Sequence, residues 1–225
     1  MGKSRGKTKH KSDSQADLPL VAVITGDIVN SQGQDVETDW LTALKMYLSR
    51  YGESPKDWQI YRGDSFQLLI YNPEDAFRVA LGLKATIKQF QTLDVRMAIG
   101  VGGVDKVAEQ VLQSNGEAFV YSGRMFDSLK KQTLAVKTPW QDLDKAINLV
   151  IKLALLTMDD WSETSAEVVM ASLDHPLATQ KEIASILSIP QSRVSERLSR
   201  AGFDAIKDTE RYYREAIGNR LKTTT

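Results

Sequence analysis

Tyr61-Arg62-Gly63-Asp64-Ser65-Phe66 lies between two short apolar runs, Trp58 to Tyr61 and Phe66 to Tyr71. Each run carries β-branched or aromatic residues and is too short for a helix. The stretch therefore reads as a β-hairpin with Gly63-Asp64 in the tight turn, where glycine supplies a positive φ and aspartate tolerates one. A carboxylate at such a tip is ordinary turn chemistry. A second carboxylate beside it would change its meaning, and Asp27, in Ile24-Thr25-Gly26-Asp27-Ile28-Val29, is placed to be that partner.

Working outward, Leu18 to Ile24 opens on Pro19 and has the pattern of a buried strand that delivers Asp27 at its end. After the polar Asn30 to Gln34 loop, Trp40, Leu41, Leu44, Tyr47 and Leu48 recur at helical spacing, with Asp35 as N-cap. Beyond the hairpin, Asn72-Pro73-Glu74-Asp75 gives a cap, a proline at the first helical position and two acids in the first turn. Ala76, Phe77, Ala80, Leu83, Ile87 and Phe90 make the helix amphipathic. Val95 to Val101 is the next strand and closes on Gly100-Val101-Gly102-Gly103, which lacks the third glycine of a dinucleotide-binding signature. Gly116 to Lys131 reads as a helix and Thr133 to Lys137 as a last strand, stopped by Pro139. The order is β-α-β-β-α-β-α-β. Its first six elements match the ferredoxin-like βαββαβ plan of an α+β domain, an antiparallel sheet with helices on one face.

From Trp140 to Met158 an amphipathic stretch carries Leu143, Ile147, Val150, Ile151, Ala154 and Leu155, suited to the core or to a partner helix in a homodimer. A helix over Ser165 to Leu173 follows, then the Asp174-His175-Pro176 break. The clearest motif begins at Thr179 and runs to Leu198. It resembles the helix-turn-helix of bacterial regulators and sigma-factor-like modules, with Ala184 where the helices touch, Ile189 plugging the turn, and Val194 and Leu198 anchoring the second helix. Ser188 stands where glycine is common. With Val194 and Leu198 facing inward, Ser192, Glu196 and Ser199 face outward, flanked by Arg193, Ser195 and Arg200; with Gln191 they form a base-reading set near a helix N-terminus. A helical hairpin used for protein contacts is the competing reading.

The expected domains are a basic tail (1–17), a sheet domain (18–138), a linker helix (139–160) and a helix-turn-helix domain (161–225). The chain has 225 residues, 42% of them apolar, enough for one medium core and one small one. Its 29 basic and 29 acidic residues cancel, so attraction to nucleic acid has to come from a local patch. From Leu177 onward nine basic residues face six acidic ones. The absence of cysteine excludes disulfides, thiolate metal sites and cysteine nucleophiles, and is compatible with a cytoplasmic location. Two histidines far apart, His10 and His175, make a histidine metal cluster or a Ser-His-Asp triad hard to build. No run approaches the ~20 apolar residues of a membrane span, so no membrane partner is expected. Gly2 to Asp17, with Lys3, Arg5, Lys7, Lys9 and Lys11, has no apolar region of a secretion signal; it reads as a solubilising tail or a basic arm touching phosphates.

Residues 20–137 resemble the palm domain of class III nucleotide cyclases, kin to diguanylate cyclases and polymerase palms. Thr25-Gly26-Asp27-Ile28-Val29 is similar to the strand-end motif with the first metal aspartate, and Arg62-Gly63-Asp64 to the hairpin with the second. Arg96 to Gly102 resembles the later Arg-x-Gly-Ile strand, and Gly116 to Arg124 the glycine-led helix. The layout of this domain with a C-terminal helix-turn-helix resembles that of the SatD family. The resemblance implies Mg²⁺ or Mn²⁺ held by Asp27, the Ile28 carbonyl and Asp64, a nucleotide ligand contacted by Arg62 and Arg124, and Arg124 as the catalytic, transition-state arginine. Val120 stands where catalytic cyclases place a ribose-binding asparagine. Two functions are therefore expected to compete: a cytoplasmic DNA-binding regulator whose palm-like domain binds nucleotide or dimerises, and a metal-dependent nucleotidyl cyclase or nucleotidyltransferase targeted by its DNA-binding module.

Overall fold

The computed structural model describes residues 20–31 and 37–224. The basic tail, the strand opening at Leu18 and Pro19, and the Asp35 cap lie outside the described residues. Among these residues five strands and eight α-helices alternate in an α+β arrangement. The first part contains β1 (Leu20–Val29), α1 (Glu37–Leu48), β2 (Trp58–Tyr61), β3 (Ser65–Ile70), α2 (Ala76–Ile87), β4 (Asp94–Gly103), α3 (Glu117–Ser128) and β5 (Leu134–Lys137). Five helices complete it: α4 (Gln141–Met158), α5 (Glu163–Asp174), α6 (Gln180–Ile186), α7 (Gln191–Arg200) and α8 (Phe203–Thr224). No helix among the described residues is long and apolar enough to cross a membrane.

The sheet runs in the order β2-β3-β1-β4-β5. β1 is antiparallel to both β3 and β4, and β2 to β3, whereas β5 is parallel to β4. The first four strands are antiparallel, as expected of the first six elements, and two features are added by the seventh and eighth. The crossover through α3 makes β5 parallel, and α3 covers the face opposite α2. Alternation along β1 decides this: Ala22, Ile24 and Ile28 join the core that holds Phe77 and Leu83, while Val21 and Val23 pack with Ala118. The α3 backbone rests on Gly100 and Gly102. A Cβ on Gly100 would lie 2.2 Å from the Ala118 carbonyl oxygen and 2.3 Å from the Ser122 nitrogen. The glycine run is a seat for a helix.

Tyr61 pairs with Ser65, so the hairpin loop is Arg62-Gly63-Asp64. Positive φ falls on Arg62 (56°) and Gly63 (93°) and not on Asp64. The chain reverses one residue earlier than expected, which leaves the left-handed conformation to an arginine. Asn72 accepts a hydrogen bond from the Glu74 N–H and caps a short 3-10 turn, Pro73–Asp75, ahead of α2. Phe90 packs against the core from beyond the helix end. α3 stops at Ser128, and α5 starts before Ser165, with Ser162 as N-cap.

α2 is not amphipathic in its surroundings. All of its residues except Arg78 are buried, because the later helices cover its outer side. Tyr213 of α8 stacks on Phe77 at 5.6 Å and donates its O–H to the Pro73 carbonyl at 3.1 Å. Lys84 is consequently enclosed. Its Nζ lies 2.8 Å from Asp94, 2.7 Å from Asp159 and 3.2 Å from Thr133 Oγ1, joining α2 to the start of β4 and to the α4–α5 corner. Removing one member of such a group strands the other charges. Lys84→Ala should destabilise the protein by about 3–5 kcal/mol. Lys84→Met, which keeps the volume of the stem, should cost less; urea unfolding of both variants checks the order.

Candidate functional site

The strand register brings three of the expected residues to one end of the sheet. Asp27 stands opposite Ser65 on β3 and Arg96 on β4, and the Ile28 N–H donates to the Asp64 carbonyl at 3.2 Å. The side chains have different partners. Arg96 donates from Nε to Asp27 Oδ1 at 3.2 Å and from Nη2 to Oδ2 at 2.7 Å, so both carboxylate oxygens face one guanidinium. Arg96 also lies over the Phe126 ring, 5.0 Å from its centroid. Its bond to Asp27 raises its pKa further above its already high value. Asp64 Oδ2 accepts from Ser31 Oγ at 2.6 Å.

Among the described residues there is no group of three or more acids and histidines able to hold a metal ion. Asp27 has its positive partner in Arg96, and Asp64 accepts from Ser31 and, at 3.4 Å, from Ser65. Arg62 is exposed at the hairpin turn. Arg124 is exposed on α3, whose Ala118, Ser122 and Leu129 side faces the sheet. At 100° per residue that puts Arg124 off the sheet-facing side of the helix. Val120 is likewise exposed.

Beside α3 the same sheet face carries a polar strip in which Thr25 and Ser122 are buried and Gln67 is half-buried. Gln67 Nε2 donates to Thr25 Oγ1 at 3.3 Å, and Thr25 Oγ1 donates to Ser122 Oγ at 3.0 Å. Tyr61 borders the strip. Burial first pushes its phenol pKa up; Asp27 and Asp127 add to the rise, and Arg62 pulls it down. Arg96 is the site residue whose role sequence reasoning missed. The available signal was parity: Arg96 shares its strand face with Ala98, Gly100 and Gly102, the face on which Asp27 lies across β1.

The second candidate surface is built by α5, α6 and α7 around Val168, Ala171, Ile183, Ala184 and Val194. Thr179 and Glu182 form a reciprocal capping box at the start of α6. At its end the Ile189 N–H donates to the Ala184 carbonyl at 3.0 Å and the Ser188 N–H to Ser185 at 3.3 Å. This is the six-to-one and five-to-two pattern of a Schellman turn, and Ser188 takes the left-handed φ of 53° that it requires. α7 then leaves Gln191, Ser192, Arg193, Ser195, Ser199 and Arg200 exposed and Val194 buried.

Two of the three arginines on α7 share its one acid. Glu196 takes Arg193 on Oε2 at 2.9 Å and Arg200 on Oε1 at 2.6 Å. Gln191 donates to Gln180 at 3.0 Å. Ser195 and Ser199 border a cleft of about 310 Å³ against Arg78 and Lys207, to the side of the outward face. No protein-family model matches the chain, and no curated protein matches it either.

Ser188→Gly removes a Cβ from a left-handed residue and should stabilise the protein by about 0.5–1 kcal/mol in denaturant unfolding. The Asp27–Arg96 pair is partly solvated, so a double-mutant cycle with Asp27→Asn and Arg96→Gln should give a coupling of about 1 kcal/mol. A coupling near zero would mark the pair as incidental.

Proposed function

We propose that the protein is a DNA-binding regulator in which α6 and α7 form a helix-turn-helix and α7 enters the major groove. The observation that carries this reading is the joint between the two helices. A capped first helix, a Schellman turn at Ser188 and a second helix anchored by Val194 leave one polar, arginine-bearing face outward at the N-terminal end of α7. Arg193 and Arg200 supply phosphate or base-edge contacts, with Ser192, Ser195, Ser199, Gln191 and Glu196 as the remaining candidates for reading bases. Glu196 restrains this surface, since both arginines must leave it to reach DNA.

The sheet domain is, in the same proposal, a ferredoxin-like palm of the kind found in class III cyclases and in the SatD layout. The order β2-β3-β1-β4, antiparallel throughout, supports that plan, with β5 added in parallel at one edge. Its contribution is a nucleotide-binding polar surface beside α3, bordered by Tyr61, Gln67 and the Asp27–Arg96 pair. The cyclase reading with Mg²⁺ or Mn²⁺ is favoured by one observation, the backbone contact that sets Asp64 beside Ile28. The charge on Asp27 is matched by Arg96, and Arg124 points outward, so no turnover step follows from this arrangement. Pyrophosphate release from any nucleoside triphosphate, lost in Asp64→Asn, would favour it over the regulator.

Mobility shifts on random genomic fragments at low salt test the main reading. Binding should weaken with salt, and Arg193→Ala should reduce affinity by roughly 5- to 150-fold, corresponding to about 1–3 kcal/mol. Glu196→Gln should tighten non-specific binding because it releases two arginines. Absence of any salt-dependent shift would overturn the reading.

A further inference from the structure

α4 carries two apolar faces. Leu143, Ile147, Ile151, Leu155 and Met158 are buried against the sheet domain and α8, which accounts for most of the stripe visible in the sequence. Leu149, Leu153 and Leu156 point the other way and are 61%, 59% and 73% exposed. With Ala146 they recur at intervals of three, four and three residues, the a/d spacing of a helix-pairing seam. Among the described residues, the core helices and the sheet leave this seam uncovered.

The helix that carries it is held firmly. Asn148 Oδ1 accepts from the Val136 N–H at 2.9 Å and its Nδ2 donates to the Val136 carbonyl at 2.7 Å, so the amide stands in for a further strand at the β5 edge. Asp144 adds bonds to Lys137 and to the Thr138 N–H.

We infer that this outward face of α4 is a homodimer interface, in which α4 of a second copy lies antiparallel along the Ala146-Leu149-Leu153-Leu156 seam. The apolar area is of the right order. The three leucines expose on the order of 350 Å² per chain, so two copies bring about 700 Å² against the roughly 900 Å² of apolar surface in a standard interface. The seam is self-complementary, as two-fold symmetry demands, because Leu149 meets Leu153 of the second copy and Ala146 meets Leu156.

Charge favours the antiparallel direction. Lys145 is exposed near the start of α4 and Asp160 just past its end, so reversing one helix sets each lysine beside the aspartate of the other copy. The two helix dipoles also oppose. Lys152 falls near the two-fold axis, where its stem covers the leucines and its ammonium reaches solvent. The inference is independent of DNA binding, although a two-fold dimer would present two α7 helices to paired half-sites.

The chain contains no cysteine, so introduced thiols report cleanly. Leu149→Cys and Leu153→Cys are made as separate proteins. Under mild oxidation, the mixture should give disulfide-linked dimers several-fold faster than either variant alone. Light scattering should give wild type twice the chain mass and Leu153→Glu half of the wild-type value. Unchanged circular dichroism and urea unfolding of Leu153→Glu would show that the fold survives, as an exposed position predicts. A wild type that stays monomeric at ~100 µM, a Leu153→Glu protein that stays dimeric, or faster cross-linking of either single variant than of the mixture would each overturn the inference.

Discussion

The enclosed Lys84 ammonium holds the layers of this protein together. An isolated buried ammonium is costly, and this one is stable only while Asp94, Asp159 and Thr133 surround it. Those partners come from three places: the start of β4, the approach to β5 and the corner between α4 and α5. A second lysine, Lys88, reaches the Asp159 carbonyl at 2.7 Å and reinforces the corner. The sheet and the C-terminal helices are thus bonded through one charged cluster, and the apolar core runs through Phe77, Ile151, Phe203 and Tyr213 without interruption. A change at the α4–α5 corner would therefore be felt in α2 and at the start of β4.

Further arginine contacts fix the helical layer at its margins. Arg50 after α1 meets Asp174 at the end of α5 at 2.6 Å, and Arg214 of α8 meets Asp75 at 2.6 Å. Arg197 ties α7 to Glu167 of α5 at 2.8 Å. These are largely surface pairs, each worth up to about 1 kcal/mol, and their effect is to orient helices whose burial is already driven by apolar area. The arginines left for recognition, Arg193 and Arg200, have only Glu196 as an acidic partner among the described residues. The same acid that holds both arginines would set how readily they exchange protein for phosphate contacts.

Much of the element order is legible in the sequence because it is written in local rules. Alternation and run length locate the strands, the Asn72-Pro73 start signals α2, and the Thr179/Glu182 capping box with the Ser188 turn signals α6 and α7. The strand end at Asp27 and the hairpin tip at Asp64 are candidates to meet, and the β1–β3 register brings their backbones together. The partner of each carboxylate is not legible. Arg96 is 69 residues from Asp27 and reaches it only because β1 and β4 pair in one particular register.

What the sequence by itself determines here is local: which segments are helix or strand, where they cap, and which residues of α7 face outward. Tertiary structure decides what each face meets. It supplies the acids that enclose Lys84, a lysine that periodicity sets on the apolar face of α2, and places α3 across the sheet on the glycines of β4. It also separates the inner stripe of α4 from the outer leucines. The physical reason is that periodicity reports which residues share a face, whereas burial and charge pairing depend on which distant element covers that face.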